Sequence, residues 1–203
     1  HTLTLALGVF LLAMLVIYLI YLLKRKNYAE EQRTVLSQIV EQSPVSIETT
    51  DANGVITYVN KCYVDGSGFK LSEVVGKKPN IMKSGFHNTT LYDDLWTTIT
   101  NGKHWVGEFY NKRKNGHTYW ARANIYPLKN TKNEITSYVA IKEDITQLKE
   151  DEKELRLAST VFQTATEAVM ITDTDNLIIA VNQAFTVITG YQEAEALGKN
   201  PEL

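Results

Sequence analysis

The side chains with the most evident chemical use lie on one segment near the middle of the chain. Trp105, Phe109 and Asn111 occupy alternate positions of a strand-like run, so they share one largely apolar face. Asn111 is then a polar side chain at a core position, where its amide needs a hydrogen-bond partner. The residues predicted opposite, Ala121 and Ala123, are small and leave space. An amide that donates and accepts in such a pocket can bind the edge of a flat heterocycle.

No other set of residues indicates catalysis, metal binding or nucleic-acid binding. The four histidines, His1, His87, His104 and His117, are scattered, and Cys62 is the only cysteine, so a disulfide framework is excluded. The sequence has no phosphate-binding glycine loop and no nucleophile motif. A formal net charge of −2 gives no basic surface for nucleic acid. We therefore expect no catalytic site and no metal in these residues.

Hydrophobic periodicity and turn residues predict the elements that hold this face. Between Val45 and Thr146 the pattern gives two short strands, small helices, one longer helix and three further strands. Asn53-Gly54 is a strong turn signal between strands, and Asn60 is suited to cap the next helix. The predicted strands are residues 45–50, 55–59, 105–112, 118–128 and 135–145, and the main helices are 61–68 and 88–101. The fold class is therefore α+β, with helices on one face of a five-stranded antiparallel sheet.

An apolar run precedes this domain. Residues 3–23 carry no charge, and as a helix they would span roughly 30 Å, the thickness of a bilayer core. Lys24-Arg25-Lys26 follows directly, and positive flanks stay on the cytoplasmic side. A cleaved signal peptide would have a shorter apolar core with its charges in front. We expect a transmembrane helix and basic stop at 1–26 and a connector helix at 27–43, ended by Ser43-Pro44.

Seven short motifs occur in a fixed order within about a hundred residues. They are Asp51 to Ile56, Asn60, Gly68-Phe69, Gly76-Lys77, Trp105 to Glu108, Asn111 to Gly116 and Glu143 to Thr146. On these motifs residues 44–147 resemble a PAS domain, the small sensory module of bacterial signalling proteins. The resemblance implies the PAS fold and a role in signal transduction. Together with the predicted transmembrane helix, the resemblance implies a protein of the bacterial inner membrane whose PAS domains are cytoplasmic.

An internal repeat supports this resemblance independently. A shift of 122 residues brings Asp51 onto Asp173, Asn60 onto Asn182 and Gly68 onto Gly190 without a gap. A repeat that aligns at a constant spacing, with no insertion or deletion, indicates a second copy of the same domain. We expect a truncated second PAS domain at 167–203, and we interpret the chain as a fragment cut at both ends.

The first copy is similar to the flavin-binding PAS domains of redox and oxygen sensors. The shared residues are Leu95-Trp96, Trp105 to Gly107 and the pattern from Asn111 to Lys114. By this resemblance the cofactor is FAD or another flavin, with Asn111 on the isoalloxazine edge and Trp96 beside the ring. Glu48 on the first strand and His87 in the loop above complete the implied set, although both depart from the usual residue types.

Other ligands fit the sequence less well, and a domain without a tight cofactor stays open. Cys62 lies too early in the chain for a photoactive flavin domain, and residues 88–101 contain no histidine for haem. For Trp105, core packing is a better interpretation than ligand contact. Another small-molecule or redox ligand is a further alternative.

The segment between the two copies is predicted to be a helical linker, residues 148–166. Positions three and four apart form an imperfect heptad seam of Ile145, Leu148, Glu152, Leu155, Ser159 and Phe162. Such a weak seam suits a homodimer whose signalling helices change register, and a monomeric amphipathic linker is the alternative.

Together these features predict a membrane-anchored sensor and relay region. The sequence of the second copy resembles the sequences of PAS repeats that precede cyclic-di-GMP synthase and phosphodiesterase domains. A histidine kinase of a two-component system is the close alternative for the output. The competing class is a cofactor-free PAS dimerisation scaffold.

Overall fold

The computed structural model describes the backbone of residues 2–201 and the side chains of residues 14–201. The chain divides into two compact units, residues 1–144 and 145–203. Helix α1 (Thr2–Glu41) runs without a break through the predicted anchor and connector and ends just before Ser43-Pro44. Within the part of the chain whose side chains are described, no helix is both long and apolar enough to cross a membrane. Residues 3–13 of the predicted span lie outside that part.

After α1, the first unit contains one antiparallel sheet. Its strands are β1 (Ser46–Asp51), β2 (Ile56–Val59), β3 (Trp105–Lys112), β4 (Thr118–Lys129) and β5 (Ile135–Asp144). They lie in the order β2-β1-β5-β4-β3, so the first strand of the domain pairs with the last. The β1–β5 register runs from Ser46 opposite Lys142 to Asp51 opposite Ser137. The predicted α+β class with a five-stranded antiparallel sheet is confirmed.

Short helices connect β2 to β3. They are α2 (Lys61–Ser67), α3 (Leu71–Val74), a 3-10 turn (Pro79–Met82) and α4 (Thr89–Thr100). Helix α3 and the 3-10 turn fall in a stretch for which the sequence predicted no regular element. Leu95 and Ile99 of α4 join Trp105, Phe109 and Ile125 of the sheet in one buried cluster. This layer of helices lies on the inner face of the sheet.

The inner face of β1 is polar. Glu48 and Thr50 are buried, whereas Ile47 before them and Thr49 between them are only half-buried. Strand alternation places residues two apart on the same face, so Glu48 and Thr50 both point toward the helices. A carboxylate at such a position requires a charged or hydrogen-bonding partner inside the domain.

The Asn60 side chain connects the start of β1 to the end of α1 and to the first turn of α2. Its side chain is fully buried, and its Oδ1 accepts hydrogen bonds from the N–H of Ile47 at 2.9 Å and of Tyr63 at 3.1 Å. Its Nδ2 donates to the carbonyls of Val40 at 3.1 Å and Val45 at 2.9 Å. One amide therefore caps α2 and holds the end of α1 and the start of β1.

The second unit has a related local order. It contains α5 (Thr146–Thr164), β6 (Met170–Thr172), β7 (Ile178–Val181), α6 (Gln183–Thr189) and α7 (Glu193–Ala196). Asn182 caps α6 by accepting from the N–H of Phe185 at 3.0 Å, and it also accepts from the N–H of Val169 at 2.9 Å. The strand, strand, helix, helix sequence of β1 to α3 thus recurs from β6 to α7.

We predict that Asn60→Ala lowers the free energy of unfolding by about 2–4 kcal/mol, because it removes a helix cap and leaves buried backbone groups without partners. Urea denaturation measures the loss. The matched control is Asn88→Ala, since Asn88 occupies the N-cap of α4 but makes no side-chain capping bond and is exposed. Equal small losses for the two variants would contradict the role given to Asn60.

Candidate ligand-binding site

A cavity of about 260 Å³ lies between the inner face of the sheet, α4 and the 3-10 turn. Its aromatic wall is formed by Tyr92, Trp96, Phe109 and Tyr138. The other lining residues are Glu48, Thr50, Gly54, Lys78, Pro79, Asn80, Met82, Lys83, Leu95, Ile99, Asn111, Ile125, Ala140 and Lys142. The structure therefore brings three predicted site residues, Glu48, Trp96 and Asn111, to one cavity.

Asn111 reaches the cavity from the inner face of β3. Its side chain is 7% exposed, and its strand neighbour in the register is Tyr119 of β4. Burial raises the pKa of Tyr119 to about 12, and a hydrogen bond from the Asn111 side chain acts in the opposite direction. The amide is thus oriented from one side by Tyr119.

Glu48 and Lys142 form a buried ion pair in the cavity wall. Lys142 Nζ lies 3.2 Å from Glu48 Oε2, and the two side chains are 10% and 2% exposed. The residues stand on adjacent strands, β1 and β5. Away from water such a pair interacts more strongly than on the surface, and removal of one partner leaves an uncompensated buried charge. The wall therefore presents an acceptor and a donor side by side.

Trp96 is held against the turn between β1 and β2. A Cβ at Gly54 would lie 2.5 Å from the Trp96 ring, and Gly54 has φ of +76°, so only glycine fits this approach. The Trp96 ring also meets Tyr138 edge to face at 5.9 Å between centroids. These contacts fix the ring at the side of the cavity, with its side chain partly exposed.

His87 does not line this cavity. Its Nε2 accepts a hydrogen bond from the N–H of Tyr110 at 2.7 Å, and its ring meets Phe86, Phe109 and Trp120 edge to face. The resemblance to flavin-binding PAS domains implied that His87, in the loop above the pocket, contributes to the site. In the structure the loop attaches to the edge of β3 instead, because the backbone of Tyr110 is free to bond there.

Trp105 and the small alanines do not line this cavity either. The Trp105 indole is buried, donates from Nε1 to Asp94 at 2.7 Å and covers Gly107, where a Cβ would lie 2.2 Å from the ring. Ala121 and Ala123 are fully buried away from the cavity, which borders Ala140 of β5 instead. The cavity therefore lies beside Ile125 and Ala140 rather than beside the two alanines that the sequence predicted.

Sequence reasoning missed the lysines of this site. Lys142 shares the inner face of β5 with Tyr138 and Ala140, so strand alternation could have indicated it. Lys78 and Lys83 flank the 3-10 turn at the cavity, and the Lys83 ammonium lies 3.5 Å from the centre of the Tyr92 ring. No periodic signal in the sequence marks that turn.

Comparison with known proteins decides the family. The family model described as PAS domain matches residues 44–147, and the model described as PAS fold matches residues 157–202. The chain belongs to the PAS domain family. The PAS domain at 44–147 contains the complete sheet and the whole cavity described above.

Curated relatives of this PAS chain are signalling proteins. The nitrogen fixation regulatory protein of Klebsiella pneumoniae is 28% identical over 151 residues, which cover 72% of this chain and 30% of the relative. The aerotaxis receptor of Escherichia coli (strain K12) is 32% identical over 115 residues, covering 57% of this chain and 22% of the receptor. The chain thus spans less than a third of the length of these relatives, and the coarse function of a sensor domain in signalling proteins is supported.

Among solved structures, a light-oxygen-voltage domain studied with a flavin analogue has the same fold. It aligns with a TM-score of 0.51 at 19% identity, covering 59% of this chain and 96% of that domain. At this identity the likeness establishes the PAS fold alone.

Proposed function

We propose that this chain is the sensor and relay region of a membrane-anchored signalling protein and that its first PAS domain binds a flavin, FAD or a close relative. The observation that carries the proposal is the meeting of Asn111, Trp96 and the Glu48–Lys142 pair at one aromatic-walled cavity. The fold-related light-oxygen-voltage domain studied with a flavin analogue adds support.

The lining of the cavity fits a flat ring with a polar edge. Trp96, Tyr92 and Phe109 offer surfaces against which a planar heterocycle packs. Asn111, Glu48 and Lys142 offer donors and acceptors at the inner wall, where ring carbonyl and N–H groups can pair with them. A volume of about 260 Å³ suits a ring system rather than a complete dinucleotide. When bound, a flavin would supply a reversible redox change, which suits a redox or oxygen sensor.

Two lysines extend the site toward a phosphate-bearing ligand. Lys78 and Lys83 both line the cavity, on either side of the 3-10 turn. Lysine is a common partner of phosphate oxygens, to which it binds as a point charge. In this proposal the ring of the flavin occupies the cavity, and its phosphate groups lie near the two ammonium groups.

We predict that the purified 203-residue chain shows flavin absorption bands and that Asn111→Ala reduces the bound flavin at least tenfold. The variant removes the side chain that would bind the ring edge inside a buried wall, where lost hydrogen bonds are costly. The measurement is the absorption spectrum at equal protein concentration, with circular dichroism to verify folding. Asn124→Ala is the matched control, because Asn124 lies on β4 at an outward position between buried Ala123 and Ile125.

A colourless wild-type chain that cannot be loaded with added flavin would reject this ligand. If the same protein still dimerised, the cofactor-free scaffold would be the better interpretation. Full flavin content in a folded Asn111→Ala variant would reject the role given to Asn111.

The relay is proposed to be a homodimeric helix. On α5, Leu148 is 44% exposed and Leu155 is 74% exposed within the chain, as expected for a seam that awaits a partner helix. A second copy of the same helix fits, since Leu148 and Leu155 are one heptad apart. A ligand-dependent change in the first PAS domain would then bias the register of two α5 helices.

We predict that Leu155→Asp shifts the chain from dimer to monomer, because it replaces a leucine of the heptad seam with a charged side chain. Sedimentation velocity at several protein concentrations measures the change. Leu157→Asp is the matched control, since Leu157 is also exposed, at 62%, but lies off the seam. Similar behaviour of both variants would contradict the proposed seam.

The anchor and the output complete the proposal. Residues 3–23 are uncharged and end at Lys24-Arg25-Lys26, which supports a span of the bacterial inner membrane with the PAS domains in the cytoplasm. The output is proposed as cyclic-di-GMP synthesis or hydrolysis, on the resemblance of the second copy, with a histidine kinase as the alternative.

We predict that the full chain is found in the bacterial membrane fraction and resists extraction by high salt, whereas a chain that begins at Lys24 is found in the supernatant. Removal of the apolar run removes the hydrophobic transfer energy that holds the helix in lipid. Immunoblots of both fractions provide the measurement. A full chain that is released by salt would contradict the proposed span.

A further inference from the structure

The last turn of helix α1 is bound to the PAS domain that follows it. The side chains of residues 24–39 are all exposed, whereas Val40 and Glu41 at the end of the helix are half-buried. Residues 42–45 then lead directly into β1. A connection this short, with exposed helix before it, leaves the contacts of Val40 and Glu41 to hold α1 in its orientation.

The Glu41 carboxylate bridges two elements of the PAS domain. Its Oε1 accepts a hydrogen bond at 2.6 Å from the hydroxyl of Tyr58 on β2, and its Oε2 accepts one at 3.0 Å from the N–H of Lys61, the first residue of α2. Burial, and then the hydrogen bond and charge of Glu41, raise the pKa of Tyr58 to about 12, so the phenol keeps its proton and donates it. A carboxylate suits this double contact because both of its oxygens accept hydrogen bonds. We call this arrangement the Glu41 bridge.

The Glu41 bridge lies beside Asn60, which connects α1 to the strand that carries Glu48. The Asn60 side chain donates to the Val40 carbonyl at 3.1 Å and accepts from the N–H of Ile47 at 2.9 Å. The next residue on β1, Glu48, lines the cavity of the candidate site. A displacement of the end of α1 therefore acts on the segment of β1 that forms the polar wall of that cavity.

The second copy of the domain cannot form this bridge. With the shift of 122 residues, Gln163 occupies the position of Glu41, and an amide has one acceptor oxygen instead of two. Ala180 occupies the position of Tyr58 and has no hydroxyl to donate. Asn182 nevertheless caps α6, so the start of a PAS domain forms without the bridge. The Glu41 bridge is therefore not a requirement of the fold, and it distinguishes the copy that follows α1.

We propose that the Glu41 bridge couples the position of α1 to the cavity, so that displacement of the helix is a second input to the first PAS domain. Coupling between two sites is reciprocal, so a ligand that holds Glu48 in place also strengthens the attachment of α1. The effect on ligand affinity rests on the proposed flavin site, whereas the attachment and its reach to the cavity are measurable without a ligand.

The first experiment uses the 203-residue chain in detergent micelles without a ligand. Tyr58→Phe keeps the ring and removes the donor to Glu41, so we expect the amide hydrogens of residues 38–43 to exchange about fivefold faster, the effect of one hydrogen bond. The Ala140 methyl resonance should shift as well, since Ala140 lies opposite Glu48 in the register and lines the cavity.

Two further variants test the origin of these effects. Glu41→Gln should also accelerate exchange in residues 38–43, because it removes one of the two acceptor oxygens. Tyr110→Phe is the matched control for Tyr58→Phe, since Tyr110 is also half-buried and its hydroxyl bonds to Thr118 rather than to α1. It should leave both the exchange of residues 38–43 and the Ala140 methyl resonance unchanged.

The second experiment is a titration with FAD. Saturating FAD should slow exchange in residues 38–43 of the wild type, and Tyr58→Phe should bind FAD more weakly and lose most of this slowing. Unchanged exchange of these residues in both bridge variants, or an unmoved Ala140 methyl resonance in Tyr58→Phe, would overturn the inference. So would equal FAD affinity and equal slowing in Tyr58→Phe and the wild type. A wild type that binds no FAD would reject the flavin proposal instead, and the first experiment would still decide whether the bridge reaches the cavity.

Discussion

The buried amide of Asn60 is the constraint on which the rest of the first unit depends. It bonds to the end of α1, the start of β1 and the first turn of α2 at once, through four hydrogen bonds. The Asn60 side chain accepts a hydrogen bond from the N–H of Ile47 and so fixes the orientation of β1 at this point. In this orientation the side chain of the next residue, Glu48, points inward. A shift of one residue in a strand would turn every side chain to the opposite face. The polar wall of the cavity thus depends on an amide outside it, and Asn182 repeats this arrangement in the second unit.

Because Glu48 points inward, its carboxylate needs a charged partner inside the domain, and that partner comes from a distant part of the sequence. Its partner Lys142 is 94 residues away and reaches it because β1 lies beside β5 in the sheet. A buried ion pair adds little stability compared with apolar residues of the same volume. In the proposal for the first PAS domain, the pair serves to bind the polar edge of the ligand.

Local signals in the sequence were sufficient for most of the fold. Alternation predicted β3 with its inward Asn111, and Asn60 was predicted as a helix cap, because periods of two and 3.6 residues and capping preferences act over a few residues. The pairing of Glu48 with Lys142 was not predictable, since it depends on strand order. Helix α3 escaped prediction because four residues show no period. His87 was assigned to the cavity from its place in a loop, and loop direction has no sequence signal of its own.

The contacts around His87 cover the edge of β3 and also hold in place the segment that forms one wall of the cavity. Strand β3 is an edge strand, and exposed backbone groups on an edge can pair with other chains. The Tyr110 N–H donates to His87, the Tyr110 carbonyl accepts from Ser84, and Lys83 forms a bridge with Asn111. These contacts attach the segment that carries the 3-10 turn, and that segment also forms the lysine-bearing wall of the cavity. The loop therefore cannot move away from the cavity without exposing the edge of β3.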